Sequence, residues 1–137
     1  MASGPTTIPF LRYADAPAAI KFLTTAFGFE EQMVVPGEGG AIEHAQLSFG
    51  NGMVMLGSYR EDDSFGMRCP ADLGGANQGV YVIVDDPDAL YERARKAGAQ
   101  ILHELTDQDY GSRDFTARDP EGNIWSFGTY DPFAPQT

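Results

Sequence analysis

Residues 70 positions apart match at the places where backbone geometry is most demanding. Asp15 and Asp85, Pro17 and Pro87, Ala19 and Ala89, and Gly28 and Gly98 share this offset, which also carries Gly52 onto Gly122. Aspartate accepts hydrogen bonds from the free amides at a helix start, and proline suits the first helical turn. Glycine supplies the left-handed conformation that ends a helix or closes a turn. A repeat at such positions constrains the chain to two copies of one supersecondary unit, each too small to be stable alone.

Hydrophobic patterning supplies the content of the unit. In the first copy, residues 6–13 read as a strand. Asp15 then caps a helix whose apolar residues Ala19, Ile20, Phe22, Leu23 and Phe27 recur at helical spacing until Gly28. Strands are predicted over 29–35, 41–49 and 53–59, separated by Gly-rich turns. Residues 60–77 are polar and without period, and read as a linker. The second copy follows with a strand over 78–84, a helix over 86–97, and strands over 99–104, 114–118 and 123–129. The expected fold class is α+β. Two βαβββ modules in tandem, near 6–59 and 78–130 of one domain spanning 1–137, form a curved mixed sheet with the helices on its convex face. Alternation along the last strand puts Ile124, Ser126 and Gly128 on one face and Trp125 and Phe127 on the other, with Trp125 read as core.

Charge narrows the partners. Nine Lys/Arg stand against twenty Asp/Glu, a formal net charge of -11. The largest cationic cluster is Arg93, Arg95 and Lys96 on one predicted helix, so neither nucleic acid nor an anionic membrane surface is an expected partner. The excess is spread over both modules, with dense pieces at 61–63 and 107–109. Cys69 is the one cysteine, which excludes an intramolecular disulfide or thiolate cluster. The first residues lack the basic and apolar regions of a signal peptide, and no apolar run reaches membrane-spanning length, so a cytoplasmic location is expected.

Three segments carry a resemblance to a known family: 15–29 (DAPAAIKFLTTAFGF), 84–98 (VDDPDALYERARKAG) and 110–130 (YGSRDFTARDPEGNIWSFGTY). With them the chain resembles the vicinal oxygen chelate superfamily, the glyoxalase, bleomycin-resistance and dioxygenase group. The resemblance supports the tandem fold and leaves the chemistry open, because one scaffold hosts metal enzymes and non-catalytic binding proteins. It also implies where a metal would sit. Ligands in metal-dependent members lie on the first and last strand of each module, seven residues before the helix-capping Asp and seven after the Asp of the DPxG turn. Counted from Asp15, Asp85 and Asp119 and transferred by the repeat, the four positions read Ile8, Leu56, Gln78 and Ser126. Ile and Leu offer no donor, and Ser is a poor ligand for a divalent ion unless stronger ligands surround it. No metal or other cofactor is expected, and the chain is closest in character to metal-free, bleomycin-resistance-like members.

The remaining candidates suit binding. His44 and Asp114 occupy equivalent repeat positions, readable as a His-carboxylate base or, more simply, as unrelated strand residues. His103 beside Glu104 has a weaker claim, and Cys69 beside Arg68 reads either as an activated thiol or as an incidental one. Nucleophile-elbow, phosphate-loop and dinucleotide motifs are absent from the sequence. The expected ligand-binding set is Phe10, Arg12, His44, Ser58, Gln78, Tyr110, Arg113 and Ser126, with no catalytic residue assigned. Alternation adds Val54, Val80, Val82 and Ile124 to the same concavity, and Phe65 and Met67 to its rim. The expected function is sequestration of a small aromatic or cationic ligand, such as an antibiotic, by a homodimer. The alternative is a glyoxalase-like lyase, isomerase or dioxygenase with a displaced site.

Overall fold

The computed structural model describes residues 4–135. The first three residues, part of the segment read as lacking a leader, lie outside them. The first module contains β1 (Phe10–Tyr13), α1 (Ala16–Ala26), β2 (Glu30–Pro36), β3 (Ile42–Phe49) and β4 (Gly52–Ser58). A short helix α2 (Pro70–Leu73) lies in the segment read as structureless. The second module contains β5 (Gly79–Ile83), α3 (Pro87–Lys96), β6 (Gln100–Asp107), β7 (Arg113–Arg118) and β8 (Ile124–Gly128).

The helices start and stop for local reasons. Asp15 Oδ1 accepts from the Ala18 amide at 3.1 Å, and Asp86 Oδ1 accepts from the Ala89 amide at 3.1 Å. Each helix carries proline in its first turn and is followed by a left-handed glycine, Gly28 at φ 83° and Gly98 at φ 89°. The second cap is therefore Asp86 and not Asp85. The two aspartates are adjacent, so comparison of the repeats does not separate them. α1 has 11 residues and α3 has 10, which absorbs the difference before the glycines.

Each module forms a four-stranded mixed sheet, ordered β1-β4-β3-β2 and β5-β8-β7-β6, in which the first and last strands of the module run parallel. The sheets are separate hydrogen-bonded ladders, and among the described residues no strand pair joins them. Their registers correct the repeat. Ala45 lies opposite Leu56, and Phe115 lies opposite Phe127. Leu56 is thus the counterpart of Phe127, and Ser126 corresponds to Met55. The offset becomes 71 in the last strand because five residues separate the paired Arg118 and Ile124 where four separate the paired Ser48 and Met53.

One face of each sheet is buried. Leu11, Tyr13, Ala45, Leu47, Val54 and Leu56 from the first sheet share a core with Phe115, Ala117, Trp125 and Phe127 from the second. The modules meet through aromatic rings and hydrogen bonds. Phe27, at the end of α1, packs on Trp125 and Phe127 with ring centroids 5.8 and 4.8 Å apart. Arg93 of α3 donates to the carbonyls of Thr25 (2.8 Å) and Thr24 (3.0 Å), which the end of α1 leaves without helical partners. Asp119 is buried and accepts from the Tyr13 hydroxyl (2.7 Å), the Trp125 indole (3.1 Å), and the amides of Glu121 and Asn123 (3.0 Å each). Glu121 in turn accepts from the amides of Ala14 and Asp15 at 2.7 and 2.8 Å. The DPEG turn of the second module thereby holds the β1–α1 junction of the first.

Candidate functional site

With one face of each sheet in the core, pleating assigns the alternate residues to the open faces. The first open face presents Phe10, Arg12, Met33, His44, Gln46 and Met55, and the second presents Tyr81, Ile83, Asp114, Thr116, Ile124 and Ser126. Leu56 does not belong to this set. It is 1% exposed on the core face, which corrects its assignment as a ligand position. Val54 is buried, and Val80 and Val82 pack against the core, so these too leave the concavity expected from alternation. The reason is the one-residue change of offset, which turns every side chain to the other face. Counted from the observed cap Asp86, the position read as Gln78 becomes Gly79.

The corrected positions Ile8, Met55, Gly79 and Ser126 do not make a ligand set for a divalent ion. Among the described residues no three His, Cys, Asp or Glu side chains converge on one point. Ser126 shares a 2.7 Å hydrogen bond with Thr116. A metal of the kind the family fold implies does not fit these residues, and no step is derived through one.

Phe10, Arg12 and Gln78 do come together, around a small groove of about 60 Å³ between β1 and α2. Phe10 is 45% exposed and meets Phe65 at 5.9 Å, and the Arg12 guanidinium lies 6.0 Å from the Phe10 ring. Arg12 is already paired, with Nε 2.8 Å from Asp63 Oδ2. The Phe65 amide, and then Arg12, hold the Asp63 carboxyl below its usual range against the opposing effect of burial. This pair straps the 60–69 segment across β1.

The other expected residues separate. His44 Nε2 lies 2.8 Å from Gln46 Oε1, and Gln46 bonds to Gln32. Asp114 accepts from Gln108 (3.0 Å) on the other sheet, so His44 and Asp114 are not a pair. Ser58 Oγ accepts from the Ile42 amide at 2.8 Å and pins the start of β3. Arg113 forks onto Asp88 at 2.8 and 3.1 Å and reaches Asp107 at 3.3 Å, and these carboxylates raise its pKa. It ties β7 to the start of α3. His103 is exposed on β6 opposite Thr116. Cys69 is 4% exposed with Sγ 3.7 Å from the Arg12 carbonyl, and burial pushes its thiol up, the opposite of activation by Arg68. The dense acidic pieces are partly neutralised within the chain, since Asp62 pairs with Arg60, Asp63 with Arg12 and Asp107 with Arg113.

Two features escaped sequence reasoning. A cleft of about 770 Å³ runs along the unpaired edge of β5 and is walled by Phe29, Phe49, Val80, Val82 and Leu90, with Arg93 at one side. None of the eight expected ligand residues lines it. It arises where two modules meet, which a strand-by-strand reading does not reach. The second is a tyrosine corner on the open face of the second sheet. Tyr81 donates to the Tyr130 carbonyl at 2.8 Å, Tyr110 meets Tyr130 edge-to-face at 5.8 Å, and the Tyr110 hydroxyl lies 3.4 Å from Asp114 Oδ2. Burial, followed for Tyr110 by the Asp114 charge, raises the pKa of Tyr81 and Tyr110.

Relatives place this geometry in a family. The chain is 36% identical over 130 residues, 90% of its length, to uncharacterized protein Mb0911c of Mycobacterium bovis, of which the match covers 82%. It has the same identity over the same length to uncharacterized protein Rv0887c of Mycobacterium tuberculosis, of which 74% is covered. Among solved structures, TioX from Micromonospora sp. ML1 superposes with a TM-score of 0.70 at 32% identity, covering 91% of this chain and 98% of that one. The genomically encoded fosfomycin resistance protein FosX from Listeria monocytogenes, complexed with Mn(II) and sulfate ion, shares the fold at 12% identity and a TM-score of 0.66, covering 96% of each chain. The model of the Glyoxalase/Bleomycin resistance protein/Dioxygenase superfamily matches residues 6–127. With two βαβββ modules around one core and this match across nearly the whole chain, the protein belongs to the glyoxalase/bleomycin resistance protein/dioxygenase superfamily.

Proposed function

We propose that this protein binds and sequesters a small aromatic or cationic molecule, such as an antibiotic or other natural product, without transforming it. The observation that carries the reading is the chemistry of the open faces. Phe10, Phe65, Tyr81, Tyr110 and Tyr130 are each more than 40% exposed, beside hydrogen-bonding groups such as Gln78 and Ser126, at positions that supply no metal-ligand set. Exposed rings of this kind offer stacking area at low entropic cost, which suits a planar ligand. Phe10, Arg12 and His44 would contact the ligand from the first module, and Gln78, Tyr110 and Ser126 from the second. Ser58 and Arg113 would act through the backbone and loop that they hold.

A homodimer completes this reading. The unpaired edge of β5 and the apolar cleft beside it, with Phe133 89% exposed at its lining, are surfaces that a monomer leaves in water and a second copy would cover. The net charge of -11 disfavours nucleic acid. No helix among the described residues is long and apolar enough to cross a membrane, and a cytoplasmic site of action accords with a chain whose one cysteine builds no disulfide framework.

The test is calorimetric titration with a phenanthridinium cation and with neutral phenanthridine, followed by recovery of the ligand. Saturable binding, stronger for the cation, weakened by salt and releasing the compound unchanged, is the expected result. Absence of saturation with either compound up to about 1 mM overturns the proposal. So does recovery of a converted product, or stoichiometric metal retained after dialysis, both of which point to the glyoxalase-like enzyme.

A further inference from the structure

We propose that the corner formed by Tyr81, Tyr110, Tyr130 and Asp114 is a recognition site for an alkylammonium group. The proposal deepens the reading of the open faces as a small-molecule site and names the charged part of the ligand.

The corner is built by a missing side chain. On β8, Gly128 lies between Asp114 of β7 and Ile83 of β5. A Cβ at Gly128 would come within 2.7 Å of the Asp114 Cβ, 2.9 Å of the Tyr81 hydroxyl and 3.3 Å of Ser112 Oγ. Only glycine lets the phenol from one neighbouring strand and the Cβ of Asp114 from the other approach the same point. Tyr130 is then fixed at both ends of its backbone. Its carbonyl accepts from Tyr81, and its amide donates to Ser112 Oγ at 3.1 Å, where Ser112 is 3% exposed. Tyr110 closes the third side against the Tyr130 ring.

The charge distribution then selects the ligand. Asp62, Asp63, Asp88 and Asp107 each sit on an arginine. Asp114 does not. Its two oxygens take hydrogen bonds from the neutral groups of Gln108 and Tyr110, and among the described residues no cation lies within ion-pair distance. The adjacent Arg113 is held away by Asp88 and Asp107. A half-buried carboxylate without a counter-ion, with Tyr81 and Tyr110 beside it and Tyr130 packed on Tyr110, in a corner whose rings stay 42%, 62% and 43% exposed, offers negative potential from both the acid and the rings. A methylated or otherwise alkylated ammonium matches both, because it carries positive charge on an apolar surface that does not need hydrogen-bond acceptors on every side.

The test uses choline and its uncharged isostere 3,3-dimethylbutan-1-ol, monitored by the aromatic carbon-proton NMR signals of the tyrosines. Choline is expected to shift the signals of Tyr81, Tyr110 and Tyr130 saturably, at about millimolar concentration, as befits a few exposed cation–π contacts. The isostere at the same concentration should leave them in place. Asp114→Asn should weaken choline binding about tenfold, the effect of one partly screened charge contact. Tyr110→Leu, an exposed change that spares the core, should weaken it as well, while Lys21→Ala, an exposed change on α1, should not. Equal responses to choline and the isostere, no saturable shift, or binding unchanged in both Asp114→Asn and Tyr110→Leu overturns the proposal. Choline needs only this corner, so its failure beside successful binding of planar aromatics removes the ammonium site and leaves the sequestration reading standing. Choline binding with no planar aromatic bound does the reverse.

Discussion

The hydroxyl of Tyr13, on the first strand of the first module, donates at 2.7 Å to the carboxylate of Asp119, 106 residues away in the turn that starts the last connection of the second module. Burial pushes the Tyr13 phenol well above its ordinary pKa, reinforced by the Asp119 charge, so it remains a donor throughout the accessible pH range. Asp119 also takes the Trp125 indole and two backbone amides, and a buried carboxylate with four donors is a keystone that cannot lose its oxygens cheaply.

Asp119→Ala leaves those donors without an acceptor and should cost about 3 kcal/mol or more of unfolding free energy. Tyr13→Phe removes one charge-assisted donor and should cost about 1–2 kcal/mol. Urea denaturation followed by circular dichroism measures both. A Tyr13→Phe variant as stable as the parent would show that the bond does not hold the modules together.

Gly128→Ala places a methyl group where Asp114 and Tyr81 already stand, at 2.7 and 2.9 Å. Strand backbone at this position accepts alanine, so the penalty is steric, about 1–3 kcal/mol. The Tyr81 ring should also move off the Tyr130 carbonyl, visible as a displaced Tyr81 signal in aromatic NMR spectra, whereas Gly39→Ala, at a residue with open space around it, should leave that signal unchanged.

Asp62, Asp63 and Asp88 have carboxyls held below the ordinary range, Asp63 chiefly by the Phe65 amide and the other two chiefly by arginine. A carboxyl lowered in the folded state adds stability that is present above its unfolded pKa and is lost as pH falls through the folded one. Stability should therefore hold at neutral pH and decline below about pH 4, the ordinary aspartate range. Asp63→Asn should flatten part of that decline and release the strap over β1, detected as faster proteolysis within residues 60–69. A decline unchanged in Asp63→Asn would assign the acid sensitivity to other carboxylates.

Cys69 is 4% exposed and its thiol is pushed up by burial, then by the charges of Glu121 and Asp72. Thiolate is the reactive form, so at pH 7 the folded protein should react with iodoacetamide at least about tenfold more slowly than the urea-unfolded chain. Equal rates would mean that the 69–73 segment opens freely.

Much of the architecture was legible because its causes are local. Capping aspartates, prolines in the first helical turns and left-handed glycines act within a few residues, so the two modules, their element order and the core position of Trp125 follow from the chain itself. The limit appeared at the second helix. Asp85 and Asp86 are chemically identical, and the choice between them moves the position counted back onto β5 by one residue, from Gln78 to Gly79. The last strand needs strand pairing as well, since hydrogen-bonded register is a relation between segments: Leu56 lies opposite Ala45 and turns into the core, and Met55 faces out.

The candidate site shows the same division. Phe10, Arg12, Gln78 and Tyr110 were named from the sequence as ligand-binding candidates, and it is the structure that brings the first three around one groove and leaves the Tyr110 ring exposed. That Arg12 and Arg113 are already occupied by Asp63 and Asp88 was not, nor that among the described residues no cation lies within ion-pair distance of Asp114. Sequence by itself determined the repeat, the elements and the family, because these rest on backbone geometry and on apolar periodicity. Tertiary structure alone decided which charges are spent on each other and which remain for a ligand, because an ion pair depends on the distance between side chains that the chain brings together only after both modules have closed around one core.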